Sequence, residues 1–282
     1  MSDRSEIFET PSPVRLRVEI PLGRIFVTAE ATGQTHIEMT ATNSTARKWI
    51  AEAEVTKNGN EIGVIIRKPS PLSWGFLRGG LEVNIHVPLE SWAAMGTGSG
   101  HIDTKGRLGK VRATSGSGAI RLDDCGEVHA RTGSGEITVR LCAGSVDAKT
   151  GSGHVIVGKV GADARIVTAS GGAEIDEVSG DARIHCASGH IEVGQSGNSL
   201  DAHAASGSIR VQRADHGQVR ARTYSGSVRV GVAKGTAALL DVSTMSGRVD
   251  SELQPSDAPG AEEKRVELIL STMSGNVTVA RV

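Results

Sequence analysis

Two stretches decide the fold: ARTGSGEITVRL (Ala130–Leu141) and AKTGSGHVIVGK (Ala148–Lys159). The chain writes nearly the same segment twice, eighteen positions apart. In the first copy Val128, Ala130 and Thr132 alternate with His129 and Arg131. A Gly133, Ser134, Gly135 step follows, and then Ile137 and Val139 alternate with Glu136, Thr138 and Arg140. The second copy repeats the scheme with Val146, Ala148 and Thr150 before its glycines and Val155 and Val157 after them. Alternation with period two places one set of side chains inward and the other outward along a strand. Each unit therefore predicts two short strands and two turns. Glycine suits the corner because it accepts positive φ and close backbone approach. A phosphate-binding loop would need a helix and a lysine after its glycines. Here the glycines lead directly into the strand-like EITV and HVIV.

The same Ser-Gly step recurs at Gly100, Gly118, Gly135, Gly153, Gly171, Gly189, Gly207, Gly226, Gly247 and Gly275. A period near 18 held over most of the chain is the signature of a solenoid. The fold class predicted is all-β: a single-stranded β-solenoid of about 18-residue coils with an N-terminal β-rich cap, successive coils stacking at ~4.8 Å. A lone coil buries too little to offset its chain entropy, so stability must come from stacked neighbours. Inward hydroxyls such as Ser115, Thr132, Thr150 and Thr223 are expected to form a column, each donating to an adjacent coil.

Composition agrees. Of 282 residues, 36 are glycine and only 2% are aromatic, so the core must be built from Val, Ile, Ala, Leu and Thr. Residues 1–95 hold six of the seven aromatics and read as the cap, and residues 96–282 read as the solenoid. Within the cap, Ser44–Glu54 is the helix candidate with Ser44 as its N-cap. The stretch VTKNGNEIGVIIRK predicts a hairpin turning at Asn58 and Gly59. Residues 251–265 are polar and stretch the last repeat into a surface loop. The final STMSGNVTVARV reads as a half coil with no cap, a bare end that would pair with itself as a homodimer or filament.

PVRLRVEIPLGRIFVTA (Pro13–Ala29), LEVNIHVPLESWAAMGTGSGHI (Leu81–Ile102) and the repeated T-x-S-G-x-I-x-V units resemble a bacterial family of unknown function, the β-strand-repeat "putative adhesins". The likeness spans nearly the whole chain. It implies a β-solenoid without an established enzymatic activity and supplies no catalytic motif.

Candidate chemistry is sparse. The net charge of −1 offers no general field for nucleic acid or anionic membrane. Cys125, Cys142 and Cys186 show no C-x-x-C spacing and read as reduced thiols. With no basic-then-apolar leader and no bilayer-length apolar run, the expectation is a cytoplasmic protein with no membrane span. Asp147 and Asp201 share an outward column, but Arg165 and Arg183 lie between them, so no carboxylate pair is set for acid–base chemistry. His185 and His203 are column neighbours, but His190 follows a corner, so the expectation is a polar column rather than a metal site. No cofactor is expected. No serine is set for nucleophilic attack either. The reading is therefore a non-enzymatic binding or scaffold protein with a protein partner. Its contacts are Trp74 and Phe76 in the loop PSPLSWGFLRGG (Pro69–Gly80), and a cationic face carrying Arg131, Lys149, Arg165, Arg183 and Arg222. An end-to-end structural element and a carbohydrate-active β-helix are the alternatives weighed. A nucleic-acid groove is disfavoured because that face lacks interleaved aromatics.

Overall fold

A computed structural model describes residues 3–67, 80–253 and 264–282. The chain divides into two units, Met1–Cys142 and Ala143–Val282. In both, the strands of the repeat pair in parallel with the equivalent strand of the next coil, as the period of 18 predicts.

The first unit contains β1 (Arg4–Glu9), β2 (Arg15–Glu30), β3 (Gln34–Ala41), α1 (Ser44–Ala51), β4 (Glu54–Asn58), β5 (Glu61–Ile65), β6 (Leu81–Pro88), β7 (Trp92–Lys105), β8 (Arg107–Ser117), β9 (Ile120–Ser134) and β10 (Ile137–Cys142). The long strand β2 already runs parallel to β7 in one register from Arg15↔Trp92 to Thr28↔Lys105. Its other edge is covered by β5 and β6. Antiparallel neighbours finish the cap: β4 on β5, β3 on β6 and β1 on β3. The β4–β5 hairpin turns at Asn58 and Gly59, where Gly59 has φ +58°. The helix starts where expected but ends at Ala51, with Glu54 already in β4, and its cap is Asn43 rather than Ser44. The Asn43 side-chain oxygen accepts from the Ala46 N–H at 2.8 Å, which places Ser44 inside the first turn.

The second unit contains β11 (Val146–Ser152), β12 (Val155–Val160), β13 (Ala164–Ser170), β14 (Ala173–Val178), β15 (Ala182–Ser188), β16 (Ile191–Ser196), β17 (Ser199–Ser206), β18 (Ile209–Ala214), β19 (Gly217–Ser225), β20 (Val228–Val232), β21 (Thr236–Ser246), β22 (Val249–Ser251), β23 (Lys264–Ser274) and β24 (Val277–Arg281). Odd-numbered strands make one parallel sheet and even-numbered strands the other. Inward rows such as Ile166, Ile184, Ala202 and Ala221 face Val157, Ile175, Val193 and Val211 across a narrow buried core. A layer this thin has room for aliphatic side chains and little room for aromatic ones.

The hydroxyl column forms, with its acceptors on the backbone. Ser115 donates to Gly100 O at 3.0 Å, Thr132 to Gly118 O at 3.2 Å, Thr223 to Gly207 O at 2.9 Å and Thr272 to Gly226 O at 2.9 Å. Each acceptor is the corner glycine of the adjacent coil. At Gly189 (φ +148°) a Cβ would lie 2.1 Å from Gly171 O, so both conformation and close approach demand glycine there.

One sequence expectation is corrected. The C-terminal segment is not the end of the stack. β23 pairs with β19 on one edge and with β21 on the other, and β24 lies likewise between β20 and β22. The last coil in sequence is thus inserted inside the coil that precedes it. Asp215, between β18 and β19, bonds the start of the inserted strand. Its carboxylate accepts from Lys264 Nζ at 3.1 Å, at the first residue of β23, and pairs with His216 Nδ1 at 2.6 Å. Burial disfavours that charge, but the bonds from Lys264 and His216 outweigh it and hold the carboxyl below its usual range.

Candidate functional site: an outward groove on the second unit

The outward side chains of the odd-numbered strands form columns with a coil-to-coil register. One runs Asp147, Arg165, Arg183, Asp201, Arg220. Beside it run Lys149, Val167, His185, His203, Arg222, and then Ser271 and Ser243. A third is small at first, with Ala169, Ala187 and Ala205, and then large, with Tyr224, Met273 and Met245. Small residues followed by large ones make a trough with an end wall. The resulting open groove has a volume of about 1000 Å³. Val167, His185, His203 and Arg222 line its floor, and Tyr224, Met245 and Met273 line its apolar end.

The His185 and His203 rings stack in the floor with centroids 5.3 Å apart and planes within 4°. Burial holds the His185 imidazole below the usual histidine value, neighbouring His203 and Arg165 push the same way, and Asp201 opposes them. Asp201 instead pairs with His203 Nε2 at 2.8 Å. Lys149 reaches Asp147 at 3.5 Å. Arg165, Arg183 and Arg222 are exposed and form no salt bridge among the described residues. The stacked imidazoles lie beside guanidinium groups that have no carboxylate partner among the described residues, an arrangement suited to receiving an anionic group.

The sequence-derived site residues divide accordingly. Lys149, Arg165, Arg183 and Arg222 lie on one face, with Arg222 in the groove floor and Arg165 and Arg183 one column away. Arg131 is outward in the first unit, in register with Thr114. There Arg17 and Glu19 bond to each other at 2.7 Å beside a smaller hollow of about 420 Å³. Trp74 and Phe76 lie outside the described residues. The apolar wall is the part that sequence reading missed. Its signal is the doubled STMSG, Ser243–Gly247 and Ser271–Gly275, which the parallel register places side by side.

Asp147 and Asp201 are separated by the coils carrying Arg165 and Arg183. Cys125 and Cys186 are buried, and burial pushes their thiols up to about 12 and about 11, which leaves them protonated and unreactive. Among the described residues no group of three His, Cys, Asp or Glu side chains converges as a metal site. No helix among them is long and apolar enough to cross a membrane.

The sequence profile of the family described as Toastrack DUF4097 matches residues 17–282. Among solved structures, a "putative adhesin" from Parabacteroides merdae aligns with a TM-score of 0.51 at 10% identity, covering 98% of this chain and 95% of that one. A "putative adhesin" from Bacteroides fragilis aligns at 0.42 and 14% identity, covering 99% and 96%. No curated protein matches the chain.

Proposed function

The chain belongs to the Toastrack DUF4097 family, and from that premise we propose that it is a non-enzymatic binding protein whose second-unit groove receives an extended, acidic segment of a protein partner. The observation that carries this reading is a groove with Arg222 in its floor and an apolar end, flanked one column away by the unengaged Arg165 and Arg183. Arg165, Arg183 and Arg222 offer charge-assisted bonds to carboxylates, and Tyr224, Met245 and Met273 offer a seat for one aliphatic or aromatic side chain. Proteins named as adhesins among the structural relatives are consistent with a binding role. Separated carboxylates and protonated thiols favour binding over catalysis.

The test uses a fluorescein-labelled peptide of alternating glutamate and leucine, followed by anisotropy. The intact protein should bind it, with affinity falling as salt rises. R183E combined with R222E should weaken binding tenfold or more, equivalent to about 1.4 kcal/mol. Tyr224→Ala should weaken binding with little change in salt dependence. Binding unchanged in both variants would remove the groove from the function.

A further inference from the structure

The insertion of β23–β24 leaves β21–β22 as the outermost coil of the second unit. One edge of β21 bonds to β23, and no described strand covers the other. Its inward residues Ala238, Leu240, Val242 and Thr244 continue the rows of Val266, Leu268, Leu270 and Thr272. The inner rows are buried, whereas Leu240 is 36% exposed because no further coil lies above it. On the outward face Leu239 is 68% and Met245 80% exposed. The usual devices that protect an edge strand are missing. β21 carries no proline and no lysine, and its one charge is Asp241.

We propose that this edge is a homodimer interface, on which a second copy of the chain docks its own β21 antiparallel about a two-fold axis at Val242. The sequence of the strand selects that register. Inward residues must oppose inward residues, so the axis passes through a residue position. Centring on Asp241 would set two like charges against each other. Centring on Val242 opposes Asp241 to Ser243 and Val242 to itself. It also opposes Leu239 to Met245 twice, so the most exposed apolar residues of the strand cover each other. Such an isologous contact is self-complementary and closed. It therefore gives a dimer and not a filament, and it continues the outward columns of one copy into those of the other.

The experiment is light scattering with size-exclusion chromatography on the full chain over about a hundredfold range of concentration. The mass should rise from 29.3 kDa to twice that value and stop. Leu239→Glu and Met245→Lys should each raise the half-dimerisation concentration about tenfold or more, because the two-fold doubles each effect. The two substitutions together should restore dimerisation, because they place opposite charges across the axis. Both positions are exposed, so the far-ultraviolet circular dichroism of dilute samples should not change. Several results would overturn the proposal: a monomer at every concentration, growth beyond two chains, a dimer indifferent to the single variants, or a double variant that stays monomeric.

Discussion

At the scale of single residues the corner is the most demanding position. Gly189 combines positive φ with backbone contact to the coil before it. Gly189→Ala should cost at least about 2–3 kcal/mol, because strain and a backbone clash act together, and a urea titration would measure it. The hydroxyl column gives the opposite case. Ala204 is buried and stands in register between Cys186 and Thr223. Thr223 donates to Gly207 O, and the equivalent carbonyl for position 204 is Gly189 O. Ala204→Thr should supply that bond and raise stability by about 0.5–1.5 kcal/mol, while Thr223→Val should lower it by a similar amount. A lower melting temperature for Ala204→Thr would show that the core there is too tight for the added atoms. His185 adds a pH dependence. Its folded value lies below the unfolded one, so the unfolded chain binds more protons between the two. That contribution is whole above about pH 6.5 and is lost as pH falls through the histidine range. The charged and titratable groups that act on the ring are His203, Asp201 and Arg165. His185→Asn should flatten the acid-side loss of stability between about pH 7 and 5.

At the scale of elements, Asp215 shows how the inserted coil is held. Its carboxyl lies below the usual range through Lys264 and His216. The stabilisation is therefore fully present above the unfolded aspartate value near 3.9 and is lost as pH drops through the folded one. Asp215→Asn should cost about 1.5–3 kcal/mol at neutral pH, the range for bonds to a charged group, and thermal melts at pH 7 and at progressively lower pH should show the difference from the parent shrink in acid. Asp215 also marks the limit of what the sequence tells. Strand alternation, corner glycines and outward columns follow from a local period, and Ile166, Ile184 and Arg165 sit where that period puts them. Coil order does not follow from it. β21 and β23 both end in STMS, both alternate inward and outward, and both fit against β19 on local grounds. What separates them are long-range side-chain contacts of β23, from Lys264 to Asp215 and from Gln218 to Glu267, which no repeat pattern contains. The groove shares this division. Its cations were legible as columns, but its apolar wall depends on Met245 and Met273 becoming neighbours through the insertion.

At the scale of the whole molecule, spatial order and chain order diverge, and hydrogen exchange can tell them apart. A solenoid gains stability from nearest neighbours, so a coil packed on both edges should open less often than one packed on a single edge. β23 has partners on both sides and β21 on one. In a dilute sample, peptides from Lys264–Arg281 should therefore exchange more slowly than peptides from Thr236–Ser251, although they lie nearer the end of the chain. If the stack followed the sequence, the last strands would be the most frayed and the order would reverse. Raising the protein concentration sharpens the comparison. Docking of a second copy on β21 would slow exchange in Thr236–Ser246 and leave the already protected Lys264–Ser274 unchanged. Exchange that is fastest in the C-terminal strands at every concentration would contradict the insertion, and with it the open edge on which dimerisation depends.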